Sequence, residues 1–127
     1  MTGLVQLFIT TPSLDESRPF YEEVLGLEPG RVGETSVEYS TDGEGARIKV
    51  QEDFDDETFG KFGMRVPPEP PARGDGAVFV VRVNEMEETV ERVAQSEGEV
   101  VQEPRSVPWG DRIALVRSPA GYVFELR

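Results

Sequence analysis

The chain of 127 residues contains no histidine and no cysteine. Histidine is the commonest metal ligand and the usual proton carrier near neutral pH, and cysteine supplies disulfides, thiolate nucleophiles and soft-metal ligands. Their absence excludes a disulfide-stabilised fold, thiol chemistry and every metal site that depends on imidazole or thiolate. Any chemistry in this protein must therefore rest on carboxylates, amides, tyrosines and cations.

Positive charge is scarce as well, and lysine most of all. The chain has 13 basic residues against 25 acidic ones, a net charge of −12 and a pI near 4.4, and its two lysines are Lys49 and Lys61. Such a charge repels phosphate backbones and anionic lipids, so we expect no nucleic acid and no membrane as partner, and a small molecule instead. Acid excess with few lysines favours a salt-adapted protein from a halophilic archaeon; an ordinary acidic protein remains the alternative.

Long apolar runs are missing too. The first apolar stretch, residues 4–9, is too short to span a bilayer and follows no basic region. We therefore expect a cytoplasmic protein. The length and the apolar content suit one globular domain with a real core.

The first half of the chain has the residue pattern of a βαβββ unit. Alternating side chains predict a strand over residues 4–10, and an apolar stripe predicts a helix over 14–25. Ser13, with Glu16 three residues on, is a capping box at the start of that helix, and Gly26 ends it. Three short strands are predicted near residues 28–33, 36–41 and 46–52.

The second half repeats this order. A strand over 77–83 leads to a helix that we expect Asn84 to cap, with Glu87 three residues on. Strands are predicted near residues 99–104, 111–117 and 121–126. The interpretation is a single domain with module one at about 1–52, a linker at about 53–76 and module two at about 77–127.

Two features around the linker leave their roles open. The acidic run at residues 52–57 lacks the alternate spacing and the glycine of a calcium loop and is expected to be a solvated face. The apolar residues Phe59, Phe62 and Met64, together with Trp109, either wall a ligand groove or cover the open end of a sheet.

Two segments carry a resemblance to a known family. Residues 14–27, LDESRPFYEEVLGL, and the C-terminal stretches PWGDR (108–112) and SPAGYVFEL (118–126) resemble the vicinal oxygen chelate superfamily, which includes glyoxalase I, bleomycin-resistance proteins and extradiol dioxygenases. The resemblance implies an α+β fold in which two βαβββ modules form a curved mixed-sheet cup, often within a homodimer. It also implies metal ligands on the first and last strand of each module.

The resemblance places those four ligand positions at Gln6, Lys49, Val78 and Glu125. An amide oxygen coordinates weakly and a carboxylate well, whereas an ammonium and an alkyl side chain cannot coordinate. A shift of two residues in the fourth strand would offer Arg47 or Gln51 instead of Lys49. We therefore expect no metal cofactor, with Gln6 and Glu125 as weak candidates should a divalent metal bind.

Without a metal, the resemblance implies that the cup binds a small molecule. Lys49 is expected to neutralise Glu125 in place of the ion. The expected lining residues are Gln6, Phe8, Lys49, Val78, Arg82, Trp109 and Glu125. The favoured function is metal-free binding, as in the bleomycin-resistance branch. The alternative is a metal-dependent lyase, isomerase or dioxygenase-type enzyme of the same superfamily, and no catalytic residue is assigned.

Overall fold

The computed structural model describes residues 2–41, 45–70, 72–108 and 112–127. The chain divides into two compact units between Pro67 and Pro68. Each unit has the element order βαβββ and one four-stranded mixed sheet, so the predicted α+β architecture of two modules is confirmed. Within the described residues, no helix is long and apolar enough to cross a membrane.

The first unit contains sheet one. Its strand order is β1-β4-β3-β2, with β1 parallel to β4 and the other pairs antiparallel. The elements in chain order are β1 (Gln6–Thr11), α1 (Leu14–Pro19) continued by a π-helical turn (Phe20–Val24), β2 (Pro29–Val32), β3 (Ser36–Tyr39), β4 (Arg47–Glu52) and α2 (Asp56–Lys61).

The first helix begins and ends where the sequence predicts. The Ser13 hydroxyl accepts a hydrogen bond from the Glu16 backbone N–H at 3.3 Å. Gly26 has a φ of 74°, which allows the Leu27 N–H to reach the Tyr21 carbonyl at 2.9 Å and close the helix. These two ends set the direction in which the chain returns to sheet one.

One face of sheet one packs against this helix and forms the core of the unit. Tyr21 stacks on Tyr39, with ring centroids 5.5 Å apart, and Phe20 meets Tyr21 edge to face. The buried apolar side chains are Ile9, Leu14, Phe20, Tyr21, Val24, Val37, Tyr39, Ile48 and Val50. Because side chains alternate along a strand, the residues between them lie on the opposite face.

The second unit contains sheet two, with strand order β5-β8-β7-β6 and the same parallel pairing of first and last strands. Its core includes Val90 and Val93 from the helix and Val116 and Phe124 from the sheet. The elements after a 3-10 turn (Ala72–Gly74) are β5 (Val78–Val81), α3 (Met86–Ala94), β6 (Glu99–Ser106), β7 (Arg112–Arg117) and β8 (Val123–Leu126).

The predicted cap of the second helix is wrong. The N-cap residue of α3 is Glu85, and it makes no side-chain capping hydrogen bond. The helix starts at Met86, the first residue of the stripe that continues with Val90 and Val93, so apolar burial sets its first turn and leaves Asn84 one residue too early.

The segment 53–76 is more structured than its composition indicates, because α2 and the 3-10 turn both lie within it. Two carboxylates of the adjoining acidic run also cap helices. Glu52 accepts a hydrogen bond from the Leu14 N–H at 3.1 Å, and Asp55 accepts one from the Thr58 N–H at 2.8 Å. The expectation of a merely solvated acidic face is therefore wrong at these two positions, since unpaired N–H groups at helix starts attract carboxylates.

Candidate functional site

The face of sheet one that points away from α1 carries a group of polar and aromatic side chains. The strand register pairs Phe8 with Lys49 and Lys49 with Glu38, and it pairs Gln6 with Arg47. Partners in register point to the same side of a sheet. We call this surface the open face of sheet one and define it by Gln6, Phe8, Glu38, Arg47 and Lys49.

Glu38 is held by two neighbours on the open face. The Gln6 amide donates a hydrogen bond to one carboxylate oxygen at 3.0 Å, and Arg47 Nε lies 3.9 Å from the other oxygen. Lys49 is the in-register neighbour of Glu38 on β4. The contacts with Gln6 and Arg47 thus fix the position of the Glu38 carboxylate on the open face.

The ammonium group of Lys49 lies over an aromatic ring. Its Nζ atom is 5.7 Å from the centroid of Phe8, a cation-π contact. Among the described residues of the first unit, the ion pairs leave Lys49 without a carboxylate partner. Lys49 is half-buried, so a cation sits at the edge of an apolar surface without a counter-ion from these residues.

Phe8 belongs to an aromatic cluster at the same place. Phe54 and Phe62 stack with their rings 5° from parallel and their centroids 5.3 Å apart, and both stack against Phe8 at 6.3 and 6.0 Å. Phe59, which is fully buried, contacts Phe54 edge to face, with ring centroids 5.4 Å apart. Phe8 is 37% exposed and Phe62 60% exposed.

Sequence reasoning found Phe62 as a candidate but missed Phe54, which it treated as part of the acidic run. The helix α2 brings the two rings together, because Asp55 caps it directly after Phe54 and Phe62 directly follows its last residue. The capping pattern of Asp55 with the following turn is the signal that was available in the sequence. Phe59 is buried and contacts Phe54, and Met64 is 36% exposed.

The predicted residues of the second unit lie on sheet two. Val78 is exposed at the start of β5, and Arg82 is exposed just after that strand ends. Glu125 is half-buried on β8 and accepts a hydrogen bond from Arg127 at 2.9 Å. The structure therefore gives Glu125 a cationic partner within its own unit. The expected pairing of Glu125 with Lys49 joins the two units and stays a prediction.

The two sheets place Lys49 and Glu125 at equivalent positions. In sheet one, Lys49 pairs with the residue two after Gln6, and in sheet two, Glu125 pairs with the residue two after Val78. The pairing of first and last strands thus gives the same offset in both units. It favours Lys49 over Arg47 or Gln51 as the counterpart of Glu125.

These residues do not fit the metal that the resemblance implies. Lys49 and Val78 have no lone pair to offer, so Gln6 with its weakly coordinating amide oxygen and Glu125 with its carboxylate are left, against three protein ligands in typical catalytic metal sites. Among the residues that the structure describes, no three or more Asp, Glu, His or Cys side chains form a group that could hold an ion. Trp109, the remaining candidate, lies outside the described residues.

Solved structures resemble the chain over nearly its whole length. A glyoxalase-related enzyme from Fulvimarina pelagi has a TM-score of 0.81 at 18% identity and covers 99% of this chain and 87% of its own. A glyoxalase/bleomycin resistance protein/dioxygenase from Nocardioides has a TM-score of 0.72 at 19% identity and covers 99% of this chain and 82% of its own. A glyoxalase/bleomycin resistance protein/dioxygenase family enzyme from Burkholderia phytofirmans PsJN has a TM-score of 0.76 at 13% identity and covers 98% of this chain and 97% of its own.

At such identities the likeness shows the fold and not the activity. No curated protein matches the chain. The family assignment instead rests on a sequence model that matches residues 3–126. The chain belongs to the Glyoxalase/Bleomycin resistance protein/Dioxygenase superfamily.

Proposed function

We propose that the protein binds a small organic molecule without a metal ion and that the open face of sheet one is the binding surface. The observation that carries this proposal is the exposed phenylalanine cluster beside Lys49. Aromatic rings offer flat apolar area, and a few fixed polar groups orient a ligand, which is the usual composition of a small-molecule site. Glu38, held by Gln6 and Arg47, is such a fixed polar group.

The exposure of the cluster supports a binding role over a structural one. The aromatic rings on the other face of sheet one are buried, as in Tyr21 and Tyr39, whereas Phe62 remains more than half exposed. Leaving so large a side chain in water forgoes roughly 1–2 kcal/mol of burial. Contiguous exposed apolar area of this kind is typical of interaction surfaces.

The charge of the chain and the family resemblance also support a proposal about where the protein works and in which oligomeric state. We propose a salt-adapted protein of a halophilic cell that works in the cytoplasm as a homodimer. Support for salt adaptation comes from 25 acidic residues against 13 basic ones, two of which are lysines. A carboxylate-rich surface stays hydrated where molar salt screens its self-repulsion.

A thermal-shift screen with and without metal tests the function. The protein in KCl is melted with a library of small aromatic and aliphatic molecules, once with a chelator and once each with Mn²⁺, Ni²⁺ and Zn²⁺. We expect a ligand that raises the melting temperature in the presence of the chelator. At about 100 times its Kd, a ligand adds roughly 2.7 kcal/mol to the free energy of unfolding.

The matched variants locate the binding surface. Phe62→Ala should weaken binding of that ligand, whereas Val32→Ala should not. Val32 is 52% exposed, and its pairing with buried Val37 places it on the other face of sheet one. Stoichiometric binding of a divalent ion, with ligands that act only in its presence, would contradict the proposal and favour the metal-dependent enzyme.

A further inference from the structure

We infer that the ligand is a planar aromatic anion, a ring system that bears a carboxylate, and this inference rests on the proposed function. The rings of the ligand stack on the exposed phenylalanines, and its carboxylate binds the ammonium group of Lys49. Two separate properties of the open face, its charge and its ring geometry, point to this one class.

The cations and the amide of the open face differ in whether they have an acidic partner. Arg47 is compensated by Glu38, and the amide of Gln6 is occupied by the same carboxylate. Lys49 has no carboxylate partner among the described residues of its own unit, although the chain carries 12 more acidic than basic side chains overall. A cation that avoids an ion pair in so acidic a chain favours an anion from outside. A neutral or cationic ligand would leave it uncompensated.

The rings of the phenylalanine cluster share nearly one orientation. Phe8, Phe54 and Phe62 lie within 20° of parallel, so they present their faces in nearly one direction. A planar ring stacks on such a set, whereas a saturated ring of the same size makes poorer contact. The Phe8 ring contacts both Phe62 and the Lys49 ammonium. The stacking area and the positive charge therefore lie side by side, within the reach of one aromatic acid.

Four probes separate charge from flatness. Naphthalene-2-carboxylate is planar and anionic, naphthalene-2-carboxamide is planar and neutral, 2-naphthylmethylammonium is planar and cationic, and decahydronaphthalene-2-carboxylate is anionic but not planar. Binding is measured by isothermal titration calorimetry of the full chain at the lowest KCl concentration that keeps it folded, because the Debye length is about 3 Å at 1 M salt. We expect the naphthoate to bind about tenfold more tightly than the carboxamide and the ammonium, since a charge-assisted hydrogen bond is worth about that factor. It should also bind more tightly than the saturated acid, which keeps the charge but loses the stacking contact.

Because the chain has two lysines, one serves as the control for the other. Lys49→Met should remove the preference for naphthoate over the carboxamide, and Lys49→Arg should retain it. Lys61→Met should change neither affinity, since Lys61 is exposed on α2 and lies 3.9 Å from Glu57. Circular dichroism confirms that each variant is folded before titration.

The outcomes distinguish this inference from the proposed function. If naphthoate and carboxamide bind equally and Phe62→Ala weakens both, the open face binds planar molecules without regard to charge, and the inference fails alone. If no probe binds but the screen yields other ligands without metal, the inference again fails alone. If the open face is instead covered by a second copy of the chain, no probe binds and Phe62→Ala converts a dimer to a monomer in sedimentation, which overturns both.

Discussion

On the helix side of sheet one, the carboxylate of Glu22 joins two other side chains. Glu22 accepts hydrogen bonds from the Tyr39 hydroxyl at 2.8 Å and from Arg18 at 2.7 Å. The Arg18 hydrogen bond, aided by that of Tyr39, lowers the pKa of Glu22 below its ordinary value. Burial, together with the hydrogen bond to the carboxylate, raises the pKa of Tyr39 well above its usual range. Tyr39 is therefore a structural donor, and a poor candidate for a base.

Tyr39→Phe should lower the free energy of unfolding by about 1–2 kcal/mol, because a hydrogen bond to a charged acceptor is lost. The pKa of Tyr39 is raised on folding, so its contribution is complete below the unfolded pKa of about 10 and is lost as the pH rises beyond it. The wild type should therefore lose stability above pH 10 more steeply than the variant. Urea unfolding between neutral and alkaline pH measures this difference.

Glu22 contributes a pH dependence of stability that is opposite in sign to that of Tyr39. The pKa of Glu22 is lowered on folding, so its contribution is present above the unfolded pKa and is lost as the pH falls through the folded value. Glu22→Gln serves as the control, because it should flatten the acidic branch of the stability profile. Parallel profiles of Tyr39→Phe and wild type above pH 10 would show that Tyr39 does not titrate with unfolding.

At the scale of the element, the 3-10 turn shows how a segment of linker composition becomes part of a unit. A Cβ atom at Gly74 would lie 2.4 Å from the Tyr122 Cα and 2.6 Å from the Gly121 carbonyl oxygen. The turn is thus packed against the chain that enters β8. Asp75 adds an ion pair with Arg117 at 3.6 Å. From the composition, prolines and glycines are expected to interrupt helices and strands. The composition does not show which of these interruptions pack closely against the rest of the unit.

Gly74→Ala should destabilise the protein by about 1–3 kcal/mol, because backbone atoms must move to admit the methyl group. Gly60→Ala in α2 is the matched control. Apart from its chain neighbours and the backbone of its own helix, nothing lies within 4 Å of its added Cβ among the described residues, and the helix should gain roughly 0.5–1 kcal/mol. Chemical denaturation of both variants gives the comparison. Equal stability of the two variants would mean that the close contact at Gly74 relaxes without cost.

At the scale of the whole molecule, net charge is the dominant property. A charge of −12 on 127 residues creates self-repulsion that disfavours a compact chain unless salt screens it. The net charge already counts the cations, and in the described regions some of them form ion pairs, among them Arg18 with Glu22 and Arg112 with Glu87. Most carboxylates have no such partner in these regions, so stability should depend on the solvent.

The melting temperature should therefore rise steadily as KCl increases from about 0.1 M to above 1 M, the range in which the Debye length falls from about 10 to 3 Å. A variant in which four exposed glutamates are changed to glutamine should show a smaller rise. The four positions are Glu23, Glu34, Glu97 and Glu103. Differential scanning calorimetry measures both curves. A salt-independent melting temperature in the wild type would contradict the proposed adaptation.

Local patterns predicted most of the elements, because period and capping are properties of neighbouring residues. The strand alternation, the Ser13 cap and the Gly26 end are all confirmed. The failures occurred where burial competed with a local signal, as at Asn84. They also occurred where a carboxylate acted on a distant helix, as when Glu52 caps α1 from β4.

The sequence by itself determined the superfamily, the order of elements and the poverty in metal ligands, because these depend on which residues are present and how they are spaced. The tertiary structure alone decided which side chains meet on the open face. The parallel pairing of β1 with β4 sets Phe8 beside Lys49, and α2 brings Phe54 and Phe62 onto Phe8. Such contacts between residues some 40 to 55 positions apart follow from strand register and helix docking, which no local pattern encodes.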